Sequence, residues 1–180
     1  MMERWIVRSG VAVVVVALAG CAATVQLPEN AGPKLAVSAA ASKQVVLVVD
    51  GSKTSKESKD WEQFRGEWRT AIEAAGKERG VAVLYQDGAT PVAQQPAVLA
   101  LVNVNDYRYI TQGARFAVGI MTGNAFVDAE VTFYEWPANT AMGTRKYNTT
   151  SSAGQGIFAA MTEKQVKAIC DQIVKEVAQR

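Results

Sequence analysis

Short runs of branched and apolar residues recur along the chain and predict strands, and the run that ends at Asp50-Gly51 predicts a buried one. Four such runs occur, at residues 45–49, 81–85, 97–110 and 114–121. The polar stretch between the first two, at residues 51–59, predicts a loop. A fifth strand is predicted over residues 126–136, where apolar and polar positions alternate so that one face is buried and one is solvated.

The polar face of this alternating strand carries Asp128 and Glu130, two residues apart. Simple solvation explains them, and a carboxylate pair or cation site is the alternative. A turn at residues 136–139 leads into residues 141–152, a mostly polar stretch that predicts a strand at the sheet edge. Because an edge strand offers unpaired backbone groups, we expect a partner-docking edge there, marked by Thr144 and Lys146.

Two stretches place apolar residues at steps of three and four, which is typical of amphipathic helices. The first has Ser58 or Asp60 as its N-cap and ends at Gly80. Its stripe consists of Trp61, Phe64, Trp68, Ile72 and Ala75. The second begins with a capping box, Thr162 and Gln165. Its stripe consists of Val166, Ile169, Cys170, Ile173, Val174 and Val177, so Cys170 is predicted to be a small buried hydrophobe and not a reactive thiol.

The order of these elements is β-α-β-β-β-β-β-α, which predicts an α/β two-layer sandwich. Its sheet is expected to be mixed or mainly antiparallel, with about five to six strands and two main helices. Residues 45–180 form the single domain. Residues 21–44 are rich in Ala and Ser and show no sustained period, so we expect a flexible tether spanning roughly 25 Å.

The first 20 residues have the organisation of a secretory signal. Arg4 and Arg8 precede an uninterrupted apolar run at residues 11–19, and small residues follow it. A nine-residue helix rises only about 14 Å, against a hydrocarbon core of roughly 30 Å. The run is therefore too short for a comfortable membrane span, and residues 1–20 are predicted to be a signal peptide.

The end of this segment, Leu18-Ala19-Gly20-Cys21, resembles the lipobox of bacterial lipoproteins. The resemblance implies that the Cys21 thiol carries a diacylglyceryl group, that a peptidase cuts after Gly20, and that the new amino group is acylated. Two or three chains such as palmitate give durable anchoring, since one chain holds only marginally. Ala22 replaces the aspartate that would favour the inner membrane, which implies the outer membrane, facing the periplasm. An ordinary secretory peptide with Cys21 as a bystander is the alternative.

Composition narrows the possible chemistry. Without residues 1–20 the chain has a net charge of +1, which argues against a nucleic-acid surface. Cys170 is then the one unmodified cysteine, so no internal disulfide is possible. The chain has no His, which removes the commonest general base and most zinc sites. Glycine spacings at residues 119–123 and 154–156 indicate turns and bulges. We therefore expect no enzyme activity, no cofactor and no metal.

Residues 97–178 also resemble a family of small envelope lipoproteins of unknown function. The resemblance consists of RFAVGIMTGNAFVDAEVTFYE, then SSAGQGIF and a terminal amphipathic helix, although EWPANTAMG replaces the family's D-x-x-T-G turn. The layout is more distantly similar to the α/β domains of lipoproteins that assist curli secretion or activate peptidoglycan synthases. The resemblance transfers no functional residue beyond Cys21.

Two functional expectations follow. The first is a membrane-anchored envelope lipoprotein that acts as a non-enzymatic scaffold or accessory protein, with the membrane and an envelope protein as partners. The alternative is a small-ligand or lipid-binding periplasmic module with a pocket between helix and sheet, lined by Trp61, Trp68 and Tyr85. The stretch Asp106-Tyr107-Arg108-Tyr109 is either a binding patch or a strand end that packs under a helix.

Overall fold

The computed structural model describes residues 25–26, 33–87, 93, 95–109, 125–150 and 161–178. The strands are β1 (Val25–Gln26), β2 (Gln44–Gly51), β3 (Ala82–Gln86), β4 (Ala97–Arg108), β5 (Phe126–Trp136) and β6 (Thr140–Thr150). The α-helices are α1 (Lys53–Lys56), α2 (Trp61–Arg79) and α3 (Met161–Val177), and a 3₁₀ turn covers Ala41–Lys43.

The strands form one mixed sheet in the order β1-β6-β5-β4-β2-β3. β2 runs parallel to β3, because α2 carries the chain back over the sheet between them, and it also runs parallel to β4. The remaining pairs, β1–β6, β5–β6 and β4–β5, are antiparallel. The predicted α/β fold with a mixed sheet is confirmed. The strand predicted at residues 114–121 and the glycine spacings at 119–123 and 154–156 lie outside the described residues.

The main core lies between the sheet and helices α2 and α3, which also contact each other. Every second residue of β5 points into it, and these residues are Val127, Ala129, Val131 and Phe133, all fully buried. The other face of the sheet is called the outer face below. Val46 of β2 and Leu99 of β4 are buried there, beside Ala93 and Ala97. β2 is thus buried on both faces, which explains its continuous apolar run.

Both long helices form where the apolar spacing predicts them. α2 ends at Gly80, whose φ of 66° is the left-handed conformation that glycine adopts without strain. Asp60 occupies the N-cap position, one of the two predicted, but its carboxylate makes no cap hydrogen bond and accepts the hydroxyls of Ser58 and Tyr107 instead. The Gln165 half of the capping box predicted for α3 is not formed, because Gln165 Oε1 accepts no hydrogen bond and its Nε2 donates to the carbonyl of Ala125 at 2.9 Å. Cys170 is fully buried as predicted, and burial raises the pKa of its thiol.

Two segments that the sequence predicts to be irregular have ordered structure in the protein. Within the stretch predicted as a loop, Ser52 caps the short helix α1 by accepting the N–H of Ser55 at 3.1 Å. Residues 33–43 differ from the predicted tether, because Leu35 is 4% exposed and Ala41 is fully buried in the main core. The domain therefore includes residues ahead of position 45.

Candidate functional site

The β6 edge, predicted as the docking edge, is lined by the chain's own N-terminal segment. β1 pairs with it so that Val25 lies opposite Thr149. Further along, the carbonyl of Pro33 accepts a hydrogen bond from Arg145 Nη2 at 2.7 Å. Leu35 lies beside Gly143, where a Cβ would stand 3.3 Å from its Cδ2. We call residues 25–26 and 33–43 the N-terminal strap.

Arg145 joins the strap to the rest of the domain. Its Nε lies 3.1 and 3.2 Å from the two carboxylate oxygens of Glu176 on α3, and its Nη1 donates to the Thr144 carbonyl at 3.1 Å. The two side chains are only 5% and 13% exposed. A buried ion pair is stable only when further hydrogen bonds satisfy its donors, and here the carbonyls of Pro33 and Thr144 supply them. The guanidinium thus connects β6, α3 and the strap.

Sequence analysis did not single out Arg145, although the alternation of β6 places this residue on the inward face of the strand. Gly143, Arg145, Tyr147 and Thr149 lie opposite the four core residues of β5. These positions face inward, so a cation among them needs a buried partner. Tyr147 lies on the same face as Arg145, and its fully buried ring is the apolar group that identifies this face as the inward one.

Thr144 and Lys146 lie on the outer face and their side chains are exposed. Thr144 Oγ1 is 3.3 Å from Thr132 Oγ1, and Lys146 Nζ is 3.8 Å from Glu130 Oε2. The expectation of an open edge beside them is wrong at Asn148 and Thr149, which pair with β1. A protein covers an edge in this way because unpaired strand groups recruit other strands.

The carboxylates Asp128 and Glu130 are half-buried on the outer face, opposite Asn148 and Lys146 respectively. Glu130 has the ammonium group of Lys146 as a partner. In the described part of the chain, no group of three or more His, Cys, Asp or Glu side chains is placed to hold a metal ion.

The opposite edge of the sheet is β3, the strand that sequence analysis predicted at residues 81–85. Among the described strands it pairs with β2 alone. It contains no charged residue, and Leu84 on its outer face is 41% exposed. Natural edge strands usually carry charges or prolines that prevent pairing with other chains. The residues of β3 themselves therefore supply neither a charge nor a proline to protect this edge.

The pocket predicted between helix and sheet is filled by aromatic rings. Trp61 and Trp68 are buried, and Phe64 packs between them with ring centroids 6.0 and 6.2 Å away. Tyr107 stacks on Phe64 at 4.1 Å with an interplanar angle of 8°. Tyr85 is half-buried, and the Arg69 guanidinium lies 4.8 Å from its ring centroid. The prediction that these side chains line a pocket is wrong, because they complete the core.

The tyrosines of the Asp106–Tyr109 stretch pack under α2. Tyr107 donates from its hydroxyl to Asp60 Oδ1 at 2.6 Å, and Tyr109 donates to Glu67 Oε1 at 2.9 Å. Burial and the hydrogen bond to Asp60 raise the pKa of Tyr107 to about 12. Burial and the Glu67 carboxylate raise the pKa of Tyr109 in the same direction. Of the two interpretations of this stretch, the structure supports packing.

A polar cleft of about 380 Å³ lies elsewhere, where the strap meets the ends of α2 and α3. Its lining includes Lys43, Glu78, Arg79 and Ala178. Glu78 is paired with Lys167 of α3 at 3.4 Å, so the side chains of Lys43 and Arg79 give the cleft a cationic character.

No protein-family model and no curated protein sequence matches the chain. Among solved structures, it is similar to a PelC dodecamer from Paraburkholderia phytofirmans, with 15% identity, a TM-score of 0.48, and coverage of 87% of this chain and 98% of that one. It is also similar to a Xanthomonas campestris protein described by family model DUF330, with 9% identity, a TM-score of 0.44, and coverage of 79% and 90%.

A third similar structure is a putative neuraminyllactose-binding hemagglutinin homolog from Helicobacter pylori, with 12% identity and a TM-score of 0.39. The match covers 82% of this chain and 88% of that one. These values identify neither a family nor a function for the chain. Over the described residues, no helix combines the length and the apolar character needed to cross a membrane.

Proposed function

We propose that this chain is a membrane-anchored lipoprotein of the bacterial envelope and acts as a non-enzymatic accessory or scaffold protein. The observation that carries the proposal is the position of the lipobox. Leu18-Ala19-Gly20-Cys21 follows a basic head and an apolar run, and it ends four residues before the first strand of a folded domain. Lipidated at Cys21, the domain hangs from the outer membrane and faces the periplasm.

The neighbouring Ser and Lys side chains around α1, which could be imagined as a catalytic pair, have structural partners, which supports a binding role over catalysis. Ser52 and Ser55 bring their hydroxyls within 2.9 Å of each other at the start of α1. Lys56 pairs with Asp50 at 3.0 Å. Each contact stabilises a turn or a strand end of the fold.

The anchor is tested by mass spectrometry of the natural product. We expect the chain to begin at Cys21, with two or three acyl chains, and to fractionate with membranes. Cys21→Ala should lose both the acyl mass and the membrane association. Cys170→Ala is the matched control, because that thiol is buried in the domain. An unmodified Cys21, or a chain that keeps Met1, would contradict the proposal.

The scaffold role is tested by photocrosslinking in cells at native expression. A photoreactive residue at Thr144 or Lys146, whose side chains stay exposed, is expected to capture one defined envelope protein. The same residue at exposed Lys59, before α2, is the control and should not capture it. Equal capture at all three positions, or none, argues against docking along the outer face of β6.

The second candidate function, a small-ligand module, now depends on the cleft beside Lys43 and Arg79. Its volume of about 380 Å³ is in the range of ligand pockets. Titration with short-chain phosphatidylglycerol, followed by calorimetry, should show saturable binding that Lys43→Ala and Arg79→Ala each weaken. Binding that survives both changes would place the ligand elsewhere.

A further inference from the structure

We infer that the edge of the sheet formed by β1 and β6 rests against the lipid headgroups, so that the domain sits directly on the membrane surface. The partner of this edge is the bilayer that holds the anchor. The inference deepens the proposed function and rests on its lipid at Cys21. It replaces the free tether that the sequence predicts with a short, fixed connection.

The length of chain between Cys21 and β1 limits how far the domain can lie from the bilayer surface. Three residues lie between Cys21 and Val25, the first residue of β1, so their Cα atoms are four residue steps apart. An extended residue spans at most about 3.6 Å, so the two Cα atoms lie within about 14 Å of each other in any conformation. Because the acyl chains hold Cys21 at the bilayer surface, β1 and the β6 residues beside it stay within that distance of the headgroups.

The strap is fixed to the domain at several separate points. Its backbone pairs with Asn148 and Thr149 at one end of β6. Arg145, buried with Glu176, holds the Pro33 carbonyl at the middle of β6. Leu35 and Ala41 are buried in the main core. Residues 33–43 are therefore part of the folded body and add no slack to the anchor.

The surface beside β1 suits contact with headgroups better than insertion into hydrocarbon. Lys146 and Asn148, which lie on the outer face of β6 next to this edge, are both exposed. A surface of this kind stays hydrated at the polar interface, because a charged group is costly within the apolar interior. Among the described residues, the exposed large apolar side chain is Leu84, which lies on β3 at the other edge.

The sheet provides two edges at different heights above the bilayer. Five strand spacings of about 4.8 Å separate β1 from β3, a distance of about 24 Å. With β1 at the membrane, β3 points toward the periplasm. A probe at Asn148 and a probe at Leu84 therefore report the near and the far edge, and both positions are exposed enough to label.

The test uses the full lipidated protein, purified with its acyl chains and reconstituted into phosphatidylethanolamine/phosphatidylglycerol vesicles that carry a headgroup nitroxide. Asn148→Cys or Leu84→Cys receives a thiol-reactive fluorophore, and buried Cys170 stays unlabelled. We expect the nitroxide to quench the probe at 148 several-fold more than the probe at 84. Equal quenching, or stronger quenching at 84, overturns the inference.

A second variant shows whether the short connection causes the orientation. Insertion of about 20 Gly and Ser residues after Ala22 lengthens the connection and leaves the lipobox and the strap intact. We expect the quenching ratio between positions 148 and 84 to fall toward one, with the acyl mass unchanged. An unchanged ratio overturns the argument from chain length. A protein that carries no acyl chains overturns the proposed function as well, and the mass spectrum distinguishes that result.

Discussion

Arg145 shows how far the environments of adjacent residues can differ within one strand. Its neighbours Thr144 and Lys146 face the solvent, while its own guanidinium lies between β6, α3 and the strap. Polar composition alone predicts that all three are exposed. The difference arises because successive strand residues point to opposite faces, and one of those faces is covered by α3.

Replacing Arg145 by Met should destabilise the domain strongly. The change leaves the Glu176 carboxylate, only 13% exposed, without its cation, and a broken buried pair costs about 3–5 kcal/mol. Urea unfolding of the soluble chain from residue 22 measures the loss. The control is Lys146→Met, whose partner Glu130 remains 38% exposed and whose loss should be within about 1 kcal/mol. Similar losses for both variants would contradict the role of Arg145.

Tyr107 should make the domain sensitive to alkaline pH. Burial and the hydrogen bond to Asp60 favour its neutral form and raise its pKa from 10.0 to about 12. The stability that the neutral hydroxyl contributes is complete below pH 10 and is lost as the pH rises from 10 to about 12. Absorbance titration of phenolate formation, alongside thermal unfolding, follows both quantities.

Two variants isolate Tyr107 in that titration. Tyr107→Phe should remove one titrating group near pH 12. Asp60→Asn should lower the pKa of Tyr107 without returning it to 10.0, because burial, the larger cause, remains. A Tyr107 that titrates at its ordinary pKa in the folded protein would show that the hydroxyl is not held under α2.

At the scale of elements, the contact between α2 and β3 depends on one glycine. A Cβ at Gly76 would stand 2.8 Å from the carbonyl oxygen of Val81 and would also clash with Val83 Cγ2. Gly66, on the exposed side of the same helix, has no atom within 4 Å of its Cβ position. One helix thus offers two glycines with opposite packing.

Gly76→Ala and Gly66→Ala should therefore change stability in opposite directions. The first forces α2 away from the backbone of the β3 region, and overpacking of this kind costs about 1–3 kcal/mol. The second exchanges a flexible residue for a good helix former and should stabilise the domain by about 0.5–1 kcal/mol. Urea unfolding measures the change in the free energy of unfolding for each variant. Destabilisation by both variants would contradict the claim that Gly76 and Gly66 differ in how closely the helix packs at each position.

Periodicity predicts those elements whose stability depends on one face of a layer. The alternation of β5 and the stripes of α2 and α3 are of this type, and the structure confirms them. Helix α1 was missed because four residues held by the Ser52 cap show no period. The pocket expected at Trp61 and Trp68 failed because spacing places a ring on a face without showing that other rings fill the space.

The strap was missed for a different reason, which belongs to the whole molecule. Pro33 and Arg145 are 112 positions apart, and the apolar run at residues 35–37 is too short to show a period. No local window contains the partner that orders such a segment. The candidate site therefore differs from the expectation chiefly at β6, where residues from the far end of the sequence cover the edge.

Removing the strap should destabilise the entire domain. Leu35→Ala leaves a cavity beside Gly143 and should cost about 2–5 kcal/mol in the free energy of unfolding. A chain that starts at residue 44 also uncovers β6 and should form larger species, because an open edge pairs with other strands. Light scattering and thermal unfolding, compared with the chain from residue 22, measure both effects. A chain from residue 44 that is monomeric and equally stable would contradict this role.

The pairing of β1 with β6 also determines when folding can finish. Residues near the start of the chain must wait for partners near its end, and closing so long a loop is entropically costly and slow. A chain that emerges from its N-terminus first would therefore present the anchor-bearing segment unpaired until residues 143–149 have arrived. The acylation and cleavage that we propose at Cys21 would then act on a chain that has not yet closed its sheet.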